Sequence, residues 1–268
     1  MSYKQILTQL NNIQNPDDID PEADFGLSEI EATQQLLELK EQLIELQHKL
    51  YASRHYSYLL IFQGMDTCGK DGVIRTVFAG VDPLGLQVQN FKKPTETELA
   101  HDFLWRAHLR TPEKGIIGLF NRSYYEGVIS DPVQGIIDHA TVLKRYNQIN
   151  QFEQMLFESG TQIIKFYLKI SKAEQKRRLI RRMELPEKRW KLSAADASER
   201  KRWDNYMNAY RDTVQATHQD YAPWYTLPAD KKWVRSYLVA SAVVGHLKSL
   251  DLKYPQPALP FQLNDLDD

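Results

Sequence analysis

Short strand-like runs alternate along the chain with longer stretches in which apolar residues recur every three or four positions. The runs at 57–62, 86–91, 116–120, 162–168 and 224–227 have the length and apolar character of buried strands. Between them lie helical patterns. Ile30, Leu36, Leu37, Leu39, Leu43, Leu46 and Leu50 form a stripe in a Glu/Gln/Lys background. They predict an amphipathic helix from 28 to about 51 that packs on the main domain or a partner subunit. Further helices are predicted at about 140–159 and 232–250. A short one follows Pro94, with Thr95 as N-cap and Glu98 completing a capping box. Strands alternating with helices imply βαβ crossovers, hence an α/β fold: a three-layer α/β/α domain on a parallel sheet of about five strands.

The pattern divides the chain into an acidic arm at 1–27, expected to be poorly structured, a main domain at 28–257 and an acidic tail at 258–268. Within the main domain, about 171–217 reads as an inserted pair of helices broken at Pro186. Such an insertion in a phosphoryl-transfer fold acts as a lid. Neither an internal repeat nor a low-complexity linker interrupts the chain.

Composition narrows the setting. With 268 residues and 42% hydrophobic content, the chain can bury a sizeable core. No run reaches the length of a membrane span, and the N-terminus lacks a signal-peptide pattern, so a cytoplasmic protein is expected. A single cysteine, Cys68, fits a reducing compartment and reads as a small loop side chain. The histidines have neither metal-ligand spacing nor an evident triad partner. The net charge of −1 hides a segregation: acid gathers near the two ends, base between Lys165 and Arg211. A polyanion is the natural partner of that basic block.

The chemistry concentrates in Gly64-Met65-Asp66-Thr67-Cys68-Gly69-Lys70-Asp71-Gly72, which follows the first predicted strand and opens a helix. This is the context of a phosphate-binding P-loop, or Walker A sequence: Gly64 and Gly69 let backbone N–H groups turn inward, and Lys70 brings a mobile charge. Asp71 stands where a nucleotide triphosphatase has Ser or Thr for magnesium, so the ion would be held through Asp66. Ligands of parallel sheets bind at the carboxyl ends of the strands. There the chain also places Lys92-Lys93-Pro94-Thr95 and Asn121-Arg122-Ser123.

Candidate phosphate-binding residues are therefore Gly69, Lys70, Asp71, Gly72, Arg75 and, in the lid, Arg178 and Arg182, four apart on one face, with Lys188 and Arg189. Asp66, Lys70 and Arg122 are the catalytic candidates. Thr95 and Asn121 join Arg122 on the nucleotide side, and Asn121 is a further candidate for the magnesium. Trp190 and the Tyr221-Ala222-Pro223-Trp224-Tyr225 segment read first as packing residues.

Five segments in order resemble the polyphosphate kinase 2 family: 64–72; Pro94-Thr95 with Glu98-Leu99 and 102–106; Phe120-Asn121-Arg122-Ser123 with Tyr125-Glu126; 186–191; and 221–225. The resemblance runs from about 28 to 257. It implies a thymidylate-kinase-like P-loop fold with a lid, usually oligomeric (a dimer or tetramer), and magnesium-dependent transfer between inorganic polyphosphate and AMP, ADP or ATP. By similarity Asp66 and Lys70 match the phosphate-loop pair, Arg122 the strand-three arginine, Arg178 and Arg182 the lid arginines, and Glu126 belongs to the nucleotide side. Asn121-Arg122-Ser123 resembles the subgroup that accepts both AMP and ADP; Gly127 and Lys92-Lys93 depart from it. The competing readings are a nucleoside monophosphate kinase with ATP as donor, disfavoured by Asp71, and a nucleic-acid-binding protein using the basic segment. Nucleic acid and membrane are not expected partners.

Overall fold

The structure, a computed structural model, describes residues 5, 6, 8, 10, 15–261 and 265. Its centre is a parallel sheet of β1 (Ser57–Gln63), β2 (Leu86–Asn90), β3 (Ile117–Asn121), β4 (Thr161–Lys169) and β5 (Trp224–Pro228), in the order β2-β3-β1-β4-β5. β1 lies in the middle with every residue buried, as an apolar run covered on both faces requires. Phe62 stands opposite Asn121 on one side and Phe166 on the other, so the ends of the three central strands are level. The chain leaves β1 toward β2 on one side and leaves β3 for β4 on the other. That reversal opens a crevice at the carboxyl ends of β1 and β3.

Among the described residues from 29 onward, the helices that flank and connect the strands are α1 (Glu29–Ser53), α2 (Lys70–Val77), α3 (Glu96–Leu99), α4 (Trp105–His108), α5 (Glu126–Val133), α6 (His139–Glu158), α7 (Lys172–Glu184), α8 (Ala194–Lys201), α9 (Trp203–Thr217) and α10 (Lys232–Ser249). α1 and α2 pack on α10, while α5, α6 and α9 pack together, giving the two helical layers. Ser28 starts α1 with a capping box closed by Glu31, and Leu36, Leu39, Leu43, Leu46 and Leu50 are buried against α10. Ile30 and Leu37, also in the predicted stripe, face solvent.

Three expectations change. The lid segment holds three helices rather than two, and α9 belongs to the core. Its Tyr206, Tyr210 and Val214 recur at helical spacing and are buried, with Tyr210 stacked on Tyr167 of β4 at 4.5 Å. The segment that stands apart from the core is thus confined to α7, the 3-10 turn Pro186–Lys191 and α8. Trp190 does not pack: it is 77% exposed, its Nε1 donating to Glu187 O at 3.0 Å beneath the Lys191 ammonium. The acidic arm, over the residues described, is docked on the domain. Lys169 Nζ donates to Pro16 O and Ile19 O at 2.8 Å each, Arg211 pairs with Asp17 at 3.3 Å, and Lys231 pairs with Asp24. Most of the acidic cluster at the chain's end lies outside the described residues.

Inside the core, Lys165 of β4 and Glu153 of α6 form a fully buried ion pair at 2.5 Å. The hydroxyls of Tyr124 and Tyr125 donate to Glu153 Oε1 at 2.7 Å, and Lys165 donates to Thr217 O at 2.7 Å. Every member has a partner, so the network ties α6, β4, α9 and the segment after β3 to one another. Glu153→Gln would leave the buried ammonium without a counter-charge. It should destabilise the fold by about 3–5 kcal/mol, and Glu153→Leu combined with Lys165→Met should recover most of that loss. Urea unfolding of the three proteins checks the ordering.

Candidate active site

A loop that points its N–H groups at an anion must point its carbonyls away, and each outward carbonyl needs a donor. The loop between β1 and α2 meets that demand at every residue. Lys70 Nζ donates to Gly64 O at 2.6 Å and lies 3.4 Å from Met65 O, which also accepts from Cys68 N. Gln175 Nε2 donates to Asp66 O at 3.2 Å, and Arg178 Nη1 to Thr67 O and Cys68 O at 3.0 and 2.9 Å. Arg235 Nη1 also donates to Cys68 O, at 2.8 Å, and Gly69 O accepts from Val73 N. The turn needs left-handed backbone at Gly69, φ 103°, and at Thr67, φ 70°. A side chain at Gly69 would also run into the Arg235 guanidinium. Cys68 is buried within the turn, as a small loop side chain would be.

Above the loop, Asp66 pairs with Arg122, whose own φ of 60° turns it back over β1. Burial opposes ionisation of Asp66, but Arg122 and Lys70 overcome it and bring the carboxyl down to about 2. Arg122 itself is held firmly cationic: burial works against its charge, but Glu126 and Asp66 outweigh it. Glu126, at the start of α5, is raised by burial despite Arg122 and Lys70. The Gln63 amide, oriented to satisfy its neighbours, donates to Glu126 Oε1 at 2.9 Å and accepts from Ser123 N at 3.1 Å.

Two lid carboxylates complete the cluster. Asp196 of α8 is raised by burial and by the neighbouring Asp66 carboxylate. Glu199, one turn on, is pushed up to about 7 by burial and by Asp66, against the pull of Arg122. Sequence patterning did not single out either residue. Ser193-x-x-Asp196 reads as a helix cap, which it also is, and nothing local announces that α8 folds over Asp66.

The remaining expected residues fall into distinct places. Asn121 Nδ2 donates to Asp71 Oδ1 at 2.5 Å, and Asp71 pairs with Lys191 of the lid at 3.3 Å. An exposed pair of that kind contributes about 0.2–1 kcal/mol, so this lid contact is easily opened. Arg182 and Lys188 line a cavity of about 320 Å³ with Arg177, Arg181 and Lys232, beside Thr67 of the loop. Arg178 borders the same cavity, but its guanidinium is taken up by Glu174 and by carbonyls of the loop and of Ala229 and Asp230. It is a staple of the loop rather than a free phosphate contact.

Arg189 turns away to Met183 O, Arg75 is exposed at the far end of α2, and the Thr95 hydroxyl caps α3. Gly127 is explained by packing: a Cβ there would meet Arg145 Nη1 and the Phe103 ring, both at 3.0 Å. Lys92 and Lys93 are exposed.

A family model for polyphosphate kinase 2 matches residues 26–255. The chain is 47% identical over 206 residues to an AMP/ADP-polyphosphate phosphotransferase of Meiothermus ruber, covering 77% of each protein. It is 45% identical over 217 residues to an ADP-polyphosphate phosphotransferase of Rhodopseudomonas palustris, covering 76% of this chain and 75% of that one. The crystal structure of polyphosphate kinase 2 from Arthrobacter aurescens TC1 superimposes with a TM-score of 0.88 at 40% identity, over 93% of this chain and 89% of that one.

The carboxylate cluster sets opposite pH dependences. Between the ordinary 4.5 of a glutamate and about 7, the folded protein holds a proton on Glu199 that the unfolded chain has released, so this residue's contribution to stability falls as pH rises through that window. Asp66 acts in reverse, its contribution being lost as pH drops from 3.8 toward about 2. Glu199→Gln should therefore flatten the limb between pH 4.5 and 7 while leaving the acid limb in place, as read from urea midpoints across pH.

Proposed function

The chain belongs to the polyphosphate kinase 2 family, and from that premise we propose that this site moves phosphoryl groups reversibly from inorganic polyphosphate to AMP and ADP, giving ADP and ATP. The observation that carries the reading is the meeting of the phosphate loop, Arg122 and a cavity lined by arginines and lysines at one edge of the sheet. Phosphoryl transfer asks for alignment and charge neutralisation more than for covalent chemistry. The loop N–H groups and the positive end of α2 seat the transferring group. Arg122 neutralises charge as it shifts between bridging oxygens. Arg177, Arg181, Arg182, Lys188 and Lys232 hold the donor chain, a line of cations suited to a polyanion longer than a triphosphate. Asn121 and Glu126, on the β3 side, face the acceptor nucleotide.

The donor set suits magnesium. Asp66 is held ionised beside the loop, and the Asn121 amide and Asp71 carboxylate stand together at the neighbouring strand end. Such hard oxygen donors, one or two carboxylates beside substrate phosphates, are what Mg²⁺ takes, and the bound ion would offset phosphate charge. The family membership also supports a cytoplasmic homo-oligomer, dimer or tetramer. Among the described residues no helix is long and apolar enough to cross a membrane.

Incubating the purified chain and magnesium with AMP or ADP should give ADP and ATP with polyphosphate as donor. Efficient AMP phosphorylation from ATP, with none from polyphosphate, would overturn the assignment. Lys70→Ala and Asp66→Asn should each lower turnover by about 100 to 1,000-fold, the usual cost of one charge-stabilising group. Circular dichroism should show both folded, and wild-type turnover in either would displace the site.

A further inference from the structure

Arg235 lies on α10 and is 3% exposed. Its Nη1 donates to Cys68 O at 2.8 Å, while its Nε is buried without a hydrogen-bond partner. Among the described residues no carboxylate is paired with it. Burial, and after it the positive charge of Arg178, lower its pKa to about 10, which leaves it cationic at neutral pH. Arg178 differs, being offset by Glu174 at 2.7 Å. Burying an uncompensated guanidinium is expensive, and such groups persist where an anion or a constrained geometry gives something in return.

The loop supplies both. The carbonyl of Cys68 and the N–H of Gly69 belong to one planar trans peptide and so point in opposite directions. Holding that oxygen on the outer side of the loop turns the Gly69 N–H into the phosphate cradle. The guanidinium occupies the space that any Cβ at Gly69 would need, and it borders Gly72 in the first turn of α2 at 3.5 Å from a Cβ position there. Gly69 thus leaves room for an arginine carried by α10, while Gly72 lies in ordinary contact with the same guanidinium.

We propose that Arg235 is a positioning residue of the phosphate loop: it fixes the Cys68–Gly69 peptide with its N–H toward the transferring phosphoryl group and sets a positive charge behind it, for which bound polyphosphate is the counter-ion. This rests on the reading that the loop seats phosphoryl groups. Arg235 touches the loop and not the substrate, so its loss acts on the seating of the donor phosphate rather than on the nucleotide.

The test compares Arg235→Met, Arg235→Ala and Arg235→Lys with the wild-type chain in polyphosphate-dependent turnover and in calorimetric binding of tripolyphosphate. Arg235→Met should lower kcat by about 10 to 100-fold with AMP and ADP alike, less than loss of a direct donor, and should weaken tripolyphosphate binding while leaving the KM for AMP unchanged. Guanidinium ion, against matched sodium chloride, should restore part of the turnover of Arg235→Ala by refilling the vacated space. Arg235→Lys, which keeps the charge but not the planar fork, should fall between wild type and Met.

A folded Arg235→Met protein with wild-type turnover and tripolyphosphate affinity would overturn the proposal. So would a loss shared equally by all three variants that guanidinium does not relieve, since that is the pattern of a purely structural role. Absence of polyphosphate turnover in the wild-type chain would instead overturn the proposed function, and tripolyphosphate binding by wild type and Arg235→Met would then decide the role of Arg235 by itself.

Discussion

The outward carbonyls of residues 64–69 are the constraint around which the site is arranged. A strand that runs straight into a phosphate cradle exposes a row of peptide oxygens on its outer side, and leaving any of them buried and unmet costs about 1–3 kcal/mol each. Here the donors come from three distant parts of the chain: Lys70 from the loop's own helix, Gln175 and Arg178 from the base of the lid, and Arg235 from α10. The order of the sheet makes this possible, because β1 is central and both helical layers reach its carboxyl end.

One consequence is that the base of the lid and its tip differ in firmness. The base is fastened by charge-assisted bonds from Arg178 to buried carbonyls. The tip is joined to α2 through the exposed Lys191–Asp71 pair, and to Asp66 through Asp196. A firmly bonded base with a weakly held tip suits a lid over phosphoryl transfer, where the donor must enter and leave while water is kept from the transferring group. Asp66, Glu126, Asp196 and Glu199 cluster around Arg122 and Lys70, and burial raises Glu126 and pushes Glu199 up to about 7.

The interior is organised by a second polar element. Lys165 and Glu153 give no large net stability relative to apolar residues, since desolvation offsets their attraction. Their effect is positional: Tyr124 and Tyr125, which follow Arg122 by two and three residues, are anchored to Glu153. The left-handed backbone at Arg122 is thereby held from its C-terminal side, and the guanidinium is aimed at Asp66.

The strands, the helix cap at Thr95, the phosphate loop and the placing of Asp66, Lys70 and Arg122 at the carboxyl ends of β1 and β3 were legible in the chain itself, because each is written in local spacing or at the end of an apolar run. Local pattern also misled, and for one reason: it records which residues are cationic or aromatic, not which oxygen or ring they meet. Arg178 and Arg182 share a helix face and line one cavity, yet the guanidinium of Arg178 is consumed by Glu174 and by carbonyls. Trp190 is exposed while Tyr210 of α9 is core. Asp196, Glu199 and Arg235 carry no local mark at all, since their partners lie in loops far away in sequence. The sequence by itself determined the order of elements and the chemistry at the end of β1. Only the tertiary structure decided which charges meet there, because long-range pairing follows from how the sheet and lid close over the loop.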